Sequence, residues 1–220
     1  YSLSGGVIAA PTTSLPEALG GVRNWDYRYC WLRDAALTMR AFTGLGFMEE
    51  ARAFFAWLIH TTRLTWPRLQ VLYDIYGRPD VPERELDYWE GYARSRPVRI
   101  GNAAARQLQL DTYGGLLYAA LDYVRSGGEL SADEGRLLAG FGRSVLELWR
   151  RPDSGMWEIR GGRREYTISK VWCWTALACL LELHERGLVK IRAEEVRAGR
   201  EATLDDRPGG LLVVVSQHAV

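Results

Sequence analysis

Apolar residues recur at the three- and four-residue spacing of an α-helix in successive stretches, and that periodicity confines the chain to a helical scaffold. Leu32, Ala35, Ala36, Met39 and Phe42 form the first stripe, and Ala51, Phe54, Phe55, Leu58 and Ile59 the second. Leu110, Tyr113, Leu117, Leu121 and Val124 make a third. Ser131 with Glu134 reads as a capping box that opens a fourth, carried by Leu137, Leu138, Phe141, Val145 and Leu148. Residues 171–183 are apolar on most faces, which predicts a helix buried all round, and the polar run 190–202 suits a sixth helix. A β-prone run at 211–215 stands alone, with no partner strand expected elsewhere.

Between the stripes lie two irregular stretches. Residues 1–24 carry Gly5, Gly6, Pro11, Pro16, Gly20 and Gly21 without helical period, as a linker leading into a domain does. In residues 64–102, Pro67, Pro79, Pro82 and Pro97 break any long helix. So long a loop in a compact domain is functional or disordered, and its Trp and Tyr content argues against disorder. The reading is an all-α fold with a helical domain at 25–202 and an atypical tail at 203–220.

Lys and Arg total 28 against 27 for Asp and Glu, so charge makes no case for nucleic acid or an anionic membrane as partner. No apolar run approaches the ~20 residues of a membrane-spanning helix. Cys30, Cys173 and Cys179 do not form a disulfide framework; reduced thiols and a cytoplasmic setting are the expectation. His60, His184 and His218 are scattered, so no metal site is expected. Neither a phosphate-cradling glycine loop nor a G-x-S-x-G elbow occurs, and no cofactor is implied.

Three constellations carry chemistry. In the segment 24–34, Arg33 and Asp34 offer a fork of donors and a pair of acceptors, with Tyr27 and Trp31 as stacking faces beside them. That set suits a pyranose, and equally a buried ion pair capping a helix. In the segment 152–160, Glu158 lies between Trp157 and Ile159. An apolar wall would desolvate its carboxyl and raise its pKa as a general acid requires, whereas a surface pair with Arg160 would not. Arg94, Arg96 and Arg99, with Asp111 beyond them, suit either anion binding or a structural network with Asp87, Glu90 and Asp111.

Taken in order, four segments resemble glycoside hydrolase family 15, the glucoamylases, glucodextranases and microbial trehalases. They are 21–34, 96–111 (Arg-Pro-Val-Arg-Ile-Gly-Asn, then Gln-Leu-Gln-Leu-Asp), 155–162 (Gly-Met-Trp-Glu-Ile-Arg-Gly-Gly) and 169–174 (Ser-Lys-Val-Trp-Cys-Trp). The resemblance implies an (α/α)6 barrel, of which this chain offers about half the helices. It implies an inverting, exo-acting enzyme that releases glucose from maltooligosaccharides or trehalose. Glu158 falls on the general acid, Arg33 and Asp34 on the pair that binds the cleaved sugar, and Tyr27, Trp31 and Trp157 on its aromatic walls. The family's general base matches no segment, so the resemblance also implies a chain cut short near residue 202, with an out-of-frame tail. A carbohydrate-binding remnant without turnover is the alternative, and a chain with no function a third reading.

Overall fold

The computed structural model describes residues 1–205 and is mostly helical. Among the described residues the α-helices are α1 (Ala35–Gly44), α2 (Met48–Arg63), α3 (Asp111–Arg125), α4 (Ala132–Leu148), α5 (Thr167–Glu185) and α6 (Ala193–Asp205). Each predicted stripe falls on one of them, with Leu32 and Leu110 standing just ahead of α1 and α3. The capping box forms as read: Ser131 Oγ accepts from the Glu134 N–H, and the Glu134 carboxylate accepts from the Ser131 N–H at 2.7 Å. In α2 the acids Glu49 and Glu50 occupy the first turn and Arg63 the last, which suits the helix dipole. No residue of 171–183 is exposed, as the apolar run required, because α5 packs against α3, α4 and α6.

The helices pair in sequence as α1–α2, α3–α4 and α5–α6, while α3 also lies against both α1 and α5. Three hairpins set side by side in this way make part of a helical barrel, with α1, α3 and α5 as the inner row. Leu116, Leu117, Phe141, Leu177 and Leu180 fill the space between the rows. Because alternate helices point the same way, the N-terminal ends of α1, α3 and α5 come together. The three longest connections all lead into those ends.

These connections correct the expectation of a chain without paired strands. β1 (Thr13–Pro16) pairs antiparallel with β2 (Asn24–Asp26), β3 (Cys30–Trp31) with β4 (Leu72–Tyr73), and β5 (Arg84–Glu85) with β6 (Arg99–Ile100). Strands of two to four residues are too short for alternation to show in sequence. The lead-in 1–24 is likewise built into the structure: Ser14 Oγ accepts from the Arg99 N–H at 2.7 Å, and the Ala9 N–H donates to the Tyr29 carbonyl. Trp31, Val71, Leu72, Val81, Ala104 and Ala105 form a small second core beneath the connections. The tail begins inside α6, with Thr203 buried; the strand expected at 211–215 lies outside the described residues.

Gly115 lets α3 approach the segment before α1. A Cβ there would stand 2.7 Å from the Leu32 carbonyl oxygen and 2.9 Å from Arg33 Cα. Gly115→Val should therefore destabilise the fold by about 1–3 kcal/mol, read as a lower urea midpoint. An unchanged midpoint would show that the two segments can part without cost.

Cys30, Cys173 and Cys179 are reduced and buried, and burial pushes all three thiols up to about 12. Among the described residues no helix is long and apolar enough to cross a membrane.

Candidate active site

The connections into α1, α3 and α5 enclose an open cleft of about 890 Å³. Tyr27, Trp31, Arg33, Asp34, Trp157 and Glu158 all line it. Residues up to 131 positions apart are thus gathered at the N-terminal ends of the inner helices, where helix dipoles favour the carboxylates among them.

Glu158 stands in a loop tied off by reciprocal backbone bonds between Asp153 and Arg164, both 2.9 Å. The turn needs Gly155: its φ is +66°, and a Cβ would lie 2.9 Å from the Tyr166 ring. Glu158 itself is left-handed at φ 55°, a conformation that costs a non-glycine residue about 1 kcal/mol. Its carboxyl Oε1 accepts from the Trp31 indole N–H at 2.5 Å and lies 3.7 Å from Arg33 Nη2. Burial pushes the Glu158 pKa up; the bond from Trp31, the charge of Arg33 and the nearby Gln109 amide pull against it, and Asp34 adds to the rise. The carboxyl consequently keeps its proton to higher pH than an exposed glutamate, as proton donation requires.

Arg33 is held from behind. Its Nη1 donates to the Met156 carbonyl at 2.7 Å and to Gln109 Oε1 at 3.3 Å, and lies 3.5 Å from Asp111 Oδ2. Its Nη2 lies 3.8 Å from Asp34 and 3.7 Å from Glu158. Asp34 is half-exposed and makes no capping bond to α1, so the pair is neither a buried bridge nor a cap at the start of that helix. Partial desolvation raises the Asp34 pKa against the pull of Arg33. Of the aromatic residues, Tyr27 and Trp31 lie 5.9 Å apart, and Trp157 stands at the rim, 79% exposed. Trp31 is buried and serves the cleft through its N–H, not through an open ring face.

Two expected pairings are replaced. Arg160 bonds Glu83 at 2.7 and 2.5 Å instead of Glu158, and its guanidinium lies 4.0 Å from the centre of the Trp25 ring. Arg99 meets Glu85 at 3.0 Å and Glu83 at 3.6 Å, not Asp87, Glu90 or Asp111. Arg160 in turn holds the Glu83 carboxyl below the usual range. Glu83 lies 77 residues from Arg160, beyond the reach of local charge spacing, whereas Glu85 lies only 14 from Arg99 and meets it because β5 pairs with β6.

Asp111, at the start of α3, is fully buried, with Arg33 Nη1 3.5 Å from its Oδ2. Burial pushes its carboxyl up to about 6, against the pull of Arg33 and with a further push from Asp153. The folded state then holds this proton more tightly than the unfolded chain, so stability falls as pH rises from about 4 to 6, by up to about 3 kcal/mol. Asp111→Asn should unfold at higher urea than the parent at pH 8 and at the same urea near pH 4. Arg33 keeps Met156, Asp34 and Glu158 in that variant. A loss of stability at pH 8 would instead make the Arg33–Asp111 attraction the larger effect.

Sequence reasoning assigned no role to Gln107, Gln109 or the Met156 carbonyl. The alternation Gln107-Leu108-Gln109-Leu110-Asp111 was the available signal: one polar face and one apolar face of an extended segment.

A family model described as glycosyl hydrolases family 15 matches residues 1–206. The chain is 41% identical over 176 residues to a trehalase of Thermoplasma acidophilum, covering 80% of this chain and 30% of that protein. It is 39% identical over 201 residues to a trehalase of Mycobacterium tuberculosis, covering 90% and 30%. Trehalase 1 of Sulfolobus acidocaldarius is 40% identical over 198 residues, covering 86% and 36%. The chain thus spans about a third of the length of these relatives. A solved wild-type glycosidase shares the fold with a TM-score of 0.57 at 18% identity, over 93% of this chain and 49% of that one.

Proposed function

The chain belongs to glycosyl hydrolases family 15, and on that premise we propose that it builds the acid side of an inverting, exo-acting glycosidase site for a terminal glucose unit. Trehalose is the first substrate to test, as the names of the relatives suggest, and maltooligosaccharides the second. Glu158 gives its proton to the glycosidic oxygen as the bond to the anomeric carbon breaks. Arg33 and Asp34 bond the hydroxyls of the glucose unit whose anomeric carbon is attacked, and Tyr27 and Trp157 offer it apolar faces. Inversion also needs a carboxylate that activates water across the ring, ~6.5–9.5 Å from the acid. We assign that base to none of the described residues: Asp34 is engaged with Arg33, and Asp111 is sealed from solvent. The three buried thiols favour a cytoplasmic setting, which cell fractionation tests.

The observation that carries this reading is a desolvated glutamate facing a cleft beside a guanidinium fixed from behind. Binding of glucose to the 220-residue chain, and release of glucose from both substrates, test it. Saturable binding without release is expected. Release that Glu158→Gln abolishes would place a base within this chain and overturn the acid-side assignment. Absence of glucose binding by the folded chain would overturn the sugar site itself.

A further inference from the structure

Three hydrogen bonds, through the side-chain amides of Gln109 and Gln107, link the guanidinium of Arg33 to the backbone of Glu158. Arg33 Nη1 donates to Gln109 Oε1 at 3.3 Å, and Gln109 Nε2 donates to Gln107 Oε1 at 2.9 Å. Gln107 Nε2 then donates to the carbonyls of Glu158, at 3.2 Å, and Ile159, at 3.5 Å. The polarity of this chain of bonds is set at both ends. A guanidinium can only donate, so the Gln109 oxygen must face it; backbone carbonyls can only accept, so the Gln107 nitrogen must face them. The oxygen of Gln107 then meets the nitrogen of Gln109, and flipping either amide would oppose like groups.

The same segment docks the acid's loop through its backbone. The Ser154 N–H donates to the Leu108 carbonyl at 2.9 Å, and Asp153 Oδ2 accepts from the Leu110 N–H at 2.9 Å. Gln109 is 2% exposed, so water cannot replace its bonds. Glu158 needs such support because its left-handed backbone is not one that its own residue type prefers.

We infer that Gln107 and Gln109 are positioning residues that tie the height of the Glu158 carboxyl to the placement of the Arg33 guanidinium. This rests on the proposed role of Glu158, but its test needs no turnover. The carboxyl of Glu158 is titrated by carbon-13 NMR in the 220-residue chain and in Gln107→Met and Gln109→Met. Gln109→Met should raise the midpoint, since it breaks a bond that holds the Arg33 guanidinium beside the carboxylate. Gln107→Met is the sharper case, because Gln107 meets only the backbone of Glu158. Its midpoint should also rise, through a misplaced carboxyl that loses the full bond from Trp31. Gln109→Met should in addition weaken glucose binding about tenfold, the effect of one lost bond to a charged group.

A folded Gln107→Met chain with an unmoved Glu158 midpoint would overturn the inference. Should either variant fail to fold, glucose is titrated into the parent chain while the side-chain amide signals of Gln107 and Gln109 are followed. Both are expected to shift as the Arg33 site fills, and a silent Gln107 would equally overturn the relay. Failure of the proposed activity would show as azide-supported cleavage of trehalose indifferent to Glu158→Gln, with these readouts untouched.

Discussion

With azide supplied as the nucleophile, Glu158→Gln should lower the cleavage of trehalose by about 100- to 10,000-fold, the range for losing a general acid, while glucose affinity changes little. The 220-residue chain can be assayed with azide as a small nucleophile in place of base-activated water. Azide attacks the anomeric carbon, the bond to the glycosidic oxygen breaks, and that oxygen takes its proton from Glu158. A glutamine has the same shape and bonding reach but no proton of suitable acidity to give. α-Glucosyl fluoride supplies the control, since fluoride departs without being protonated. The expected pattern is a large loss on trehalose and almost none on the fluoride. Equal losses on both would mean that Glu158 serves binding or folding, and its assignment as acid would fall.

Arg33→Ala should weaken glucose binding by roughly 10- to 150-fold, because a hydrogen bond to a charged group contributes about 1.5–3 kcal/mol. Division of labour within the guanidinium explains why lysine should not restore it. Nη1 anchors the side chain on Met156 and Gln109, while Nη2 lies toward Asp34 and Glu158. A single ammonium cannot be tethered at one nitrogen and serve a ligand with another. Calorimetric titration with glucose reads the effect. Affinity within a few fold of the parent would remove Arg33 from the sugar site.

The helices were legible because each buries one face along ten or more residues, enough for an apolar period to register in residues such as Leu137, Phe141 and Val145. The six residues Tyr27, Trp31, Arg33, Asp34, Trp157 and Glu158 were legible as unusual local combinations, and the fold gathers them in one cleft. What supports them was not. Glu83 with Arg160, and Arg33 with Gln109, are matched across about 76 residues of chain, by a topology that local spacing does not encode. Trp31 shows the same limit. Its presence beside the cleft could be read from the chain, but its use as a donor instead of a stacking face depends on which way the indole turns.

The three buried thiols supply a clock that needs no engineered probe. At neutral pH a thiol whose pKa stands at about 12 is almost wholly unreactive, so a disulfide reagent can label it only in moments when the surrounding structure parts. Cys30 sits in β3 next to the cleft, whereas Cys173 and Cys179 lie on α5 between its neighbouring helices. The order in which they react therefore tells whether the cleft wall peels away first or the helical layers separate as one.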